Sequence, residues 1–262
     1  MAYLEKGWQW FSKRARGVYV LANKETVHGL STVPLYIEDS YLKEFDATVM
    51  RSGPKFVILD RTAFYPESGG QPSDTGVLRH GPEAVRVFKV LRRGRDIFHY
   101  IEGDLPVGAS VRGVLDWDAR FLNMRRHSAE HLLSGLFGRV GAGTKAFSDL
   151  QRVEYKPSDL TAEDVGRVEA WFNEAVAADV PVRIYYSDRD ELDVGDDERR
   201  REFLAKIPRN VQRLRMVEVP GYDLNFCFGT HVRSTGEIGR LAKLELEEGK
   251  RRRKIVHFEL EL

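Results

Sequence analysis

Two pairs of residues carry metal-ligand chemistry. His127 and His131 are four apart in His-Ser-Ala-Glu-His, and Cys227 and His231 are four apart in Cys-Phe-Gly-Thr-His. On a helix, a spacing of four stacks two side chains one turn apart on one face. That lets both imidazoles reach one ion at about 2.0–2.1 Å. At about 100° per residue, Leu122, Ala129, Leu132, Leu133 and Leu136 form an apolar stripe, and the two histidines fall nearly opposite it. Arg120, Met124, Ser134 and Gly138 share their side. A core histidine would sit within the stripe. The competing reading of the pair is solvated surface, but Ser134 and Gly138 leave room for a second element to approach. Cys227 is the only cysteine. A lone thiol is often just a small buried hydrophobe, yet thiolate and imidazole together suit Zn²⁺. The two pairs are therefore read as one zinc site. Four protein donors describe a closed, structural tetrahedron, whereas a catalytic zinc keeps a position open; the spacing leaves that choice open. His28, His80, His99 and His257 are read as structural.

The elements that must position these donors follow from periodicity. Residues 35–115 read as β. Phe56–Leu59 is an apolar run, and Val85–Val90 alternates as a half-buried strand should. Ile97–Ile101 and Val111–Leu115 follow, separated by Gly- and Pro-containing turns. Short strands at this spacing predict a small barrel or sandwich. From 116 the pattern turns helical. Asp118 is the expected N-cap of a helix ending near Val140, before Gly141 and Gly143. Thr161 and Asp164 have capping-box spacing ahead of a stripe of Val165, Val168, Phe172 and Val176. Beyond Pro181 come a strand at 182–186, a charged helix at about 189–206, a strand at 214–219, a loop, and strands near 241–246 and 255–260. The fold class is α+β. The expected division is an N-terminal extension at 1–34, a β-barrel-like domain at 35–115 and a zinc-binding α+β domain at 116–262.

The chain has 262 residues, 42% of them hydrophobic and 31% charged. This excludes disordered and collagen-like classes. No run of ~18 apolar residues predicts a membrane span, and the N-terminal stretch lacks the apolar core of a secretory signal. One cysteine rules out an intramolecular disulfide framework, so a reducing cytoplasm is the expected compartment. The net charge is +1, so contact with nucleic acid must come from local patches rather than overall charge. Candidates are Arg92, Arg93 and Arg95, the run Arg199 to Arg201, and Lys250 to Lys254.

A further motif, Thr62 to Gly76, reads TAFYPESGGQPSDTG. Paired glycines permit close backbone approach to a ligand, and Gln71 offers both donor and acceptor. A tight loop ahead of a strand accounts for the same residues.

HSAEHLLSGLF, followed about a hundred residues later by CFGTHVRSTGEIG, resembles the editing domain of alanyl-tRNA synthetase and its free-standing relatives, the AlaX-type trans-editing proteins. The glycine-rich motif resembles that of the longer AlaX-type proteins, and KIVHFELEL is similar to their C-termini. The resemblance implies Zn²⁺ held by His127, His131, Cys227 and His231. It implies hydrolysis, in trans, of the ester of mischarged tRNA(Ala), chiefly with serine and also with glycine, without a nucleotide cofactor. It implies that Gly69, Gly70 and Gln71 line the entrance for the acceptor end. Ser148, by its spacing from His131, and Thr230 complete the substrate-binding set. One departure is Phe228, where the family commonly has glycine. The catalytic group is left open between a zinc-bound water and the terminal ribose hydroxyl of the tRNA; as a general base Glu130 is disfavoured, because it sits about 60° from His127 on the wheel, away from His131. The rival expectations are editing of Ser-tRNA(Thr), and a zinc-stabilised tRNA-binding module without catalysis.

Overall fold

The computed structural model describes residues 32–192, 201, 204–205 and 211–261. They fall into two compact units, 32–123 and 124–261. The expected N-terminal extension, His28, and Arg199 and Arg200 of one basic run lie outside the described residues.

The first unit is a closed six-stranded barrel built from β2 (Glu44–Gly53), β3 (Phe56–Leu59), β5 (Gly76–His80), β6 (Glu83–Arg93), β7 (Asp96–Glu102) and β8 (Ser110–Leu115), in the order β2-β3-β7-β6-β5-β8. Alternation explains it. Val85, Val87 and Val90 of β6 are buried while Arg86, Phe88 and Lys89 between them are not, and Ile97, His99 and Ile101 of β7 are buried while Phe98 and Tyr100 between them are half-buried. The register shift between Val87 and Lys89 keeps that inward face in phase. Two short strands, β1 (Val33–Pro34) and β4 (Arg61–Thr62), pair in parallel beside the barrel. Strands β2 and β5 were not marked out individually by sequence periodicity.

Helix α1 (Trp117–Arg139) follows. Its N-cap lies two residues before the expected one. Asp116 Oδ1, not Asp118, accepts the free N–H of Ala119 at 3.3 Å. Asp118 lies in the first turn instead, where its charge still suits the helix dipole.

The second unit holds a four-stranded antiparallel sheet in the order β14-β15-β10-β9 and a three-stranded one in the order β11-β12-β13. Their strands are β9 (Lys145–Ser148), β10 (Arg152–Tyr155), β11 (Arg183–Asp188), β12 (Arg213–Val219), β13 (Asp223–Phe226), β14 (Leu241–Gly249) and β15 (Arg253–Leu260). Helix α2 (Ala162–Ala177) carries the expected capping box, with Thr161 Oγ1 accepting from Asp164 N–H and Asp164 accepting from Thr161 N–H. Val165, Val168, Phe172 and Val176 are buried as expected. Where a charged helix was expected from 189, a 3₁₀ turn (Arg189–Glu191) follows β11; Arg201, Leu204 and Ala205 are helical, and the residues around them lie outside the description. Strand β13 falls where the sequence predicts a loop, and β9 and β10 lie in a stretch to which the sequence assigns no element. Among the described residues no helix is long and apolar enough to cross a membrane.

Helix α1 is buried nearly all round from His127 to Leu133. Ala129, Leu132, Leu133 and Leu136 face the core, as the stripe requires. The opposite side is covered too. Gly135 makes this possible: a Cβ there would lie 2.2 Å from the carbonyl oxygen of Tyr222, so only glycine lets the chain entering β13 lie against the helix.

Candidate metal centre

The covering chain is the one that carries the second pair. Asp223, the first residue of β13, meets His131 of α1, and β13 leads into the turn that holds Cys227 and His231. Cys227 Sγ lies 3.5 Å from His127 Nε2 and 3.4 Å from His231 Nε2. The four donor atoms of His127, His131, Cys227 and His231 lie within 4.8 Å of one another. Zn–S and Zn–N bonds of about 2.3 and 2.05 Å at tetrahedral angles place sulfur and nitrogen about 3.6 Å apart. The observed sulfur–nitrogen spacings are those that one tetrahedral ion imposes.

Two of the three rings are aimed by a bond on the far nitrogen. Asp223 Oδ2 sits 2.9 Å from His131 Nδ1, and Ser128 Oγ 3.1 Å from His231 Nδ1. Ser128 Oγ also accepts the N–H of Val232 at 3.2 Å. Such outer partners fix which nitrogen is free to ligate. The thiol is held from the backbone side. Gly229 N–H points at Sγ from 3.3 Å, and the fully buried Arg215 donates to the carbonyls of Cys227 and Gly229 at 2.6 and 3.3 Å.

The electrostatics favour a deprotonated sulfur. Burial raises the Cys227 thiol, but the rings of His127 and His231 and hydrogen bonds from His127 and His131 hold it well below its ordinary value. Burial lowers His131, but its bonds to Asp223 and Cys227 raise it to about 10. Burial and the neighbouring His127 push His231 down to about 3. A thiolate, one imidazolium and a neutral imidazole therefore crowd one small volume. A cation at the centre would replace the shared proton, which is how metal binding couples to titration.

Glu130 is buried between the two histidines in sequence but does not join the donors. Its Oε1 accepts from Ser134 Oγ at 2.8 Å and Lys145 Nζ at 2.9 Å. Burial raises it, while Lys145 and His131 lower it to about 2.

The other expected site residues are placed as follows. Thr230 is fully buried beside His231. Ser148 ends β9 opposite Val153. A bulge between the pairings of Lys145 and Phe147 puts Lys145 and Ser148 on one face, with buried Val153 and Tyr155. Tyr155 packs on Phe137 of α1, so this face is turned to the helix. Phe228 packs edge-to-face on Phe226 at 4.8 Å. In the first unit, Gly69 and Gly70 have φ of 57° and 82° and form the exposed tip of a two-residue turn between Ser68 and Gln71, the conformation that favours glycine at both places. Gln71 is fully buried. The loop is closed at its base, where Asp74 accepts from Tyr65 N–H at 2.6 Å and from Arg120 Nε at 2.9 Å. His99 and His257 bond Thr62 and Glu247, away from the cluster. Asp223, Ser128, Arg215 and Lys145 were not singled out by the sequence reading.

Comparisons with known proteins bear on this site. The alanyl-tRNA editing protein AlaX-M of Methanosarcina mazei is 38% identical over 250 residues, covering 87% of this chain and 96% of that protein. The AlaX-M of Methanosarcina barkeri is 35% identical over 242 residues, covering 87% and 99%. The chain belongs to the AlaX-M family. The alanine–tRNA ligase of Ignicoccus hospitalis is 38% identical over 219 residues, which is 79% of this chain but only 23% of that enzyme. The chain thus spans about a quarter of the length of the ligases it matches and nearly all of its AlaX-M relatives. The threonyl and alanyl tRNA synthetase second additional domain matches residues 214–256. That stretch contains Asp223, Cys227, Thr230 and His231. The class II (A) tRNA synthetase family matches residues 30–119, which contain the glycine-rich loop. His127 and His131 lie outside both matched stretches.

Proposed function

We propose that this chain hydrolyses the ester bond of mischarged tRNA(Ala) in trans, releasing serine chiefly and glycine also. The observation that carries the reading is the convergence of His127, His131, Cys227 and His231 in a chain matched over nearly its whole length by alanyl-tRNA editing proteins. Donor chemistry and spacing fit zinc, held by these four side chains. When bound, zinc supplies Lewis-acid polarisation of the ester carbonyl.

The chain's own residues supply the rest. Asp223 and Ser128 keep His131 and His231 aimed inward. Glu130, bonded to Lys145 and Ser134, is a weak base committed elsewhere, so the attacking water's proton passes by way of solvent to the departing terminal ribose oxygen of the tRNA as the ester C–O bond breaks. Serine exceeds alanine by one hydroxyl. An apolar pocket separates such isosteres by about a hundredfold, whereas a polar partner for the hydroxyl penalises its absence far more. Ser148, on the helix-facing side of β9, and Thr230, beside His231, are assigned that role. The exposed Gly69–Gly70 tip offers backbone to the acceptor end, supported by buried Gln71.

The test is a deacylation panel with seryl-, glycyl- and alanyl-tRNA(Ala) and seryl-tRNA(Thr), with metal analysis of the same sample. Release of serine from tRNA(Ala), with alanine spared, is expected. Equal loss of serine and alanine would overturn the specificity. Because the second additional domain is common to threonyl and alanyl synthetases, preference for seryl-tRNA(Thr) would move the substrate to the threonine branch. Absence of hydrolysis with metal present would leave an RNA-binding module.

A further inference from the structure

Lys145 occupies a position that the metal centre does not account for. It begins β9, and its ammonium donates to Glu130 Oε1 at 2.9 Å and to Ser134 Oγ at 3.2 Å. Glu130 is nearly inaccessible, with 7% of its side chain exposed, while 38% of the Lys145 side chain reaches solvent. The pair is thus anchored on one side and open on the other. An ammonium has three donors; the two bonds to α1 occupy two of them. The bulge in β9 keeps Lys145 on the same face as Ser148, the residue assigned to the amino-acid side chain. Lys145 also lies within electrostatic reach of Asp223 and Cys227. A fixed cation therefore stands at the edge of the donor cluster, one bonded neighbour removed from His131.

We propose that Lys145 is a substrate-positioning residue that grips a phosphodiester oxygen near the 3′ end of the tRNA, with Glu130 and Ser134 holding its ammonium in place. Three features favour phosphate over the ester's developing oxyanion. The group sits at the solvent edge rather than among the donors. It is a strongly hydrated point charge, suited to a phosphate that keeps part of its own water. The substrate class is a polyanion, whereas the chain's net charge is only +1, so local cations must do the holding. The proposal rests on the tRNA-deacylase reading above.

The experiment compares two substrates, seryl-tRNA(Ala) and a serine ester of adenosine without phosphates, on the parent protein, Lys145→Met and Lys145→Arg. For Lys145→Met, kcat/KM on the tRNA is expected to fall roughly ten-fold more than on the adenosine ester, mainly through KM. The dependence of log(kcat/KM) on log salt should become shallower by about 0.7, the increment for one phosphate on a single strand. Lys145→Arg should restore most of the loss. Melting temperature and metal content of each variant exclude a collapsed site as the cause. Equal losses on both substrates, or an unchanged salt slope, would overturn the phosphate contact while leaving the deacylase reading intact. A parent protein inactive on both substrates would instead remove the reading on which the contact rests.

Discussion

The carboxylate of Asp223 accepts the Nδ1–H of His131 at 2.9 Å, which commits that ring to presenting Nε2 to the cluster. Asn225 Nδ2 donates to both oxygens of the same carboxylate, at 2.9 and 2.7 Å, so the aspartate is itself held. Asp223→Ala is expected to weaken zinc binding about 10–100-fold, as loss of an outer partner usually does. Competition against a chelating dye measures this. An unchanged affinity would show that the bond merely packs the strand on the helix.

Cys227→Ser removes the sulfur around which two imidazoles are arranged at 3.4 and 3.5 Å. Deacylation should fall by more than the ~100-fold upper range for an outer partner, and stripping the ion with a chelator should do the same reversibly. Far-UV circular dichroism should be unchanged. A strong fall in melting temperature, with turnover lost only in proportion to unfolding, would mark the ion as structural.

His99 gives the barrel a pH dependence of known sign. It is fully buried, with Nε2 2.8 Å from Thr62 Oγ1. Burial lowers it from 6.5 to about 4. The unfolded chain therefore binds a proton that the folded chain refuses between these values. Stability is fully present above pH 6.5 and is lost as pH falls toward 4, by about 3 kcal/mol. Denaturant unfolding at several pH values should show this slope reduced in His99→Gln. Superimposable pH profiles for parent and variant would assign the acid sensitivity elsewhere.

Arg120 and Asp74 form an ion pair with no exposed side-chain surface on either partner. The guanidinium also donates to the carbonyls of Ser40 and Ala63. Arg120→Met leaves a buried carboxylate uncompensated and is expected to cost about 3–5 kcal/mol. The double variant with Asp74→Leu should recover part of that loss. Additive effects in the cycle would mean that the two charges are not coupled.

How far the chain could be read without coordinates depended on the range of the interactions involved. The capping box of Thr161 and Asp164 and the alternation of Val85, Val87 and Val90 are local, and both were legible. So was the approach of a second element to the histidine face of α1, although the close contact is at Gly135 rather than at Ser134 or Gly138. Asp116 and Asp118 are equivalent by type, and only the helix's first hydrogen bonds choose between them. Asp223 and Lys145 carry no spacing signal relative to His131 and Glu130. Their partners are set by strand register and by a bulge in β9, which exist only once the sheets have formed. Strands β9, β10 and β13 are four residues each, too short for periodicity to show.

The donors reach the cluster as two local pairs, with His127 and Cys227 separated by 100 residues. Neither half of the constellation is competent until the three-stranded sheet has laid β13 against α1. Closing so long a loop is slow relative to forming a helix. Ion capture therefore comes after β13 has reached α1, late in folding, and a protein starved of metal during synthesis should still be loadable afterwards.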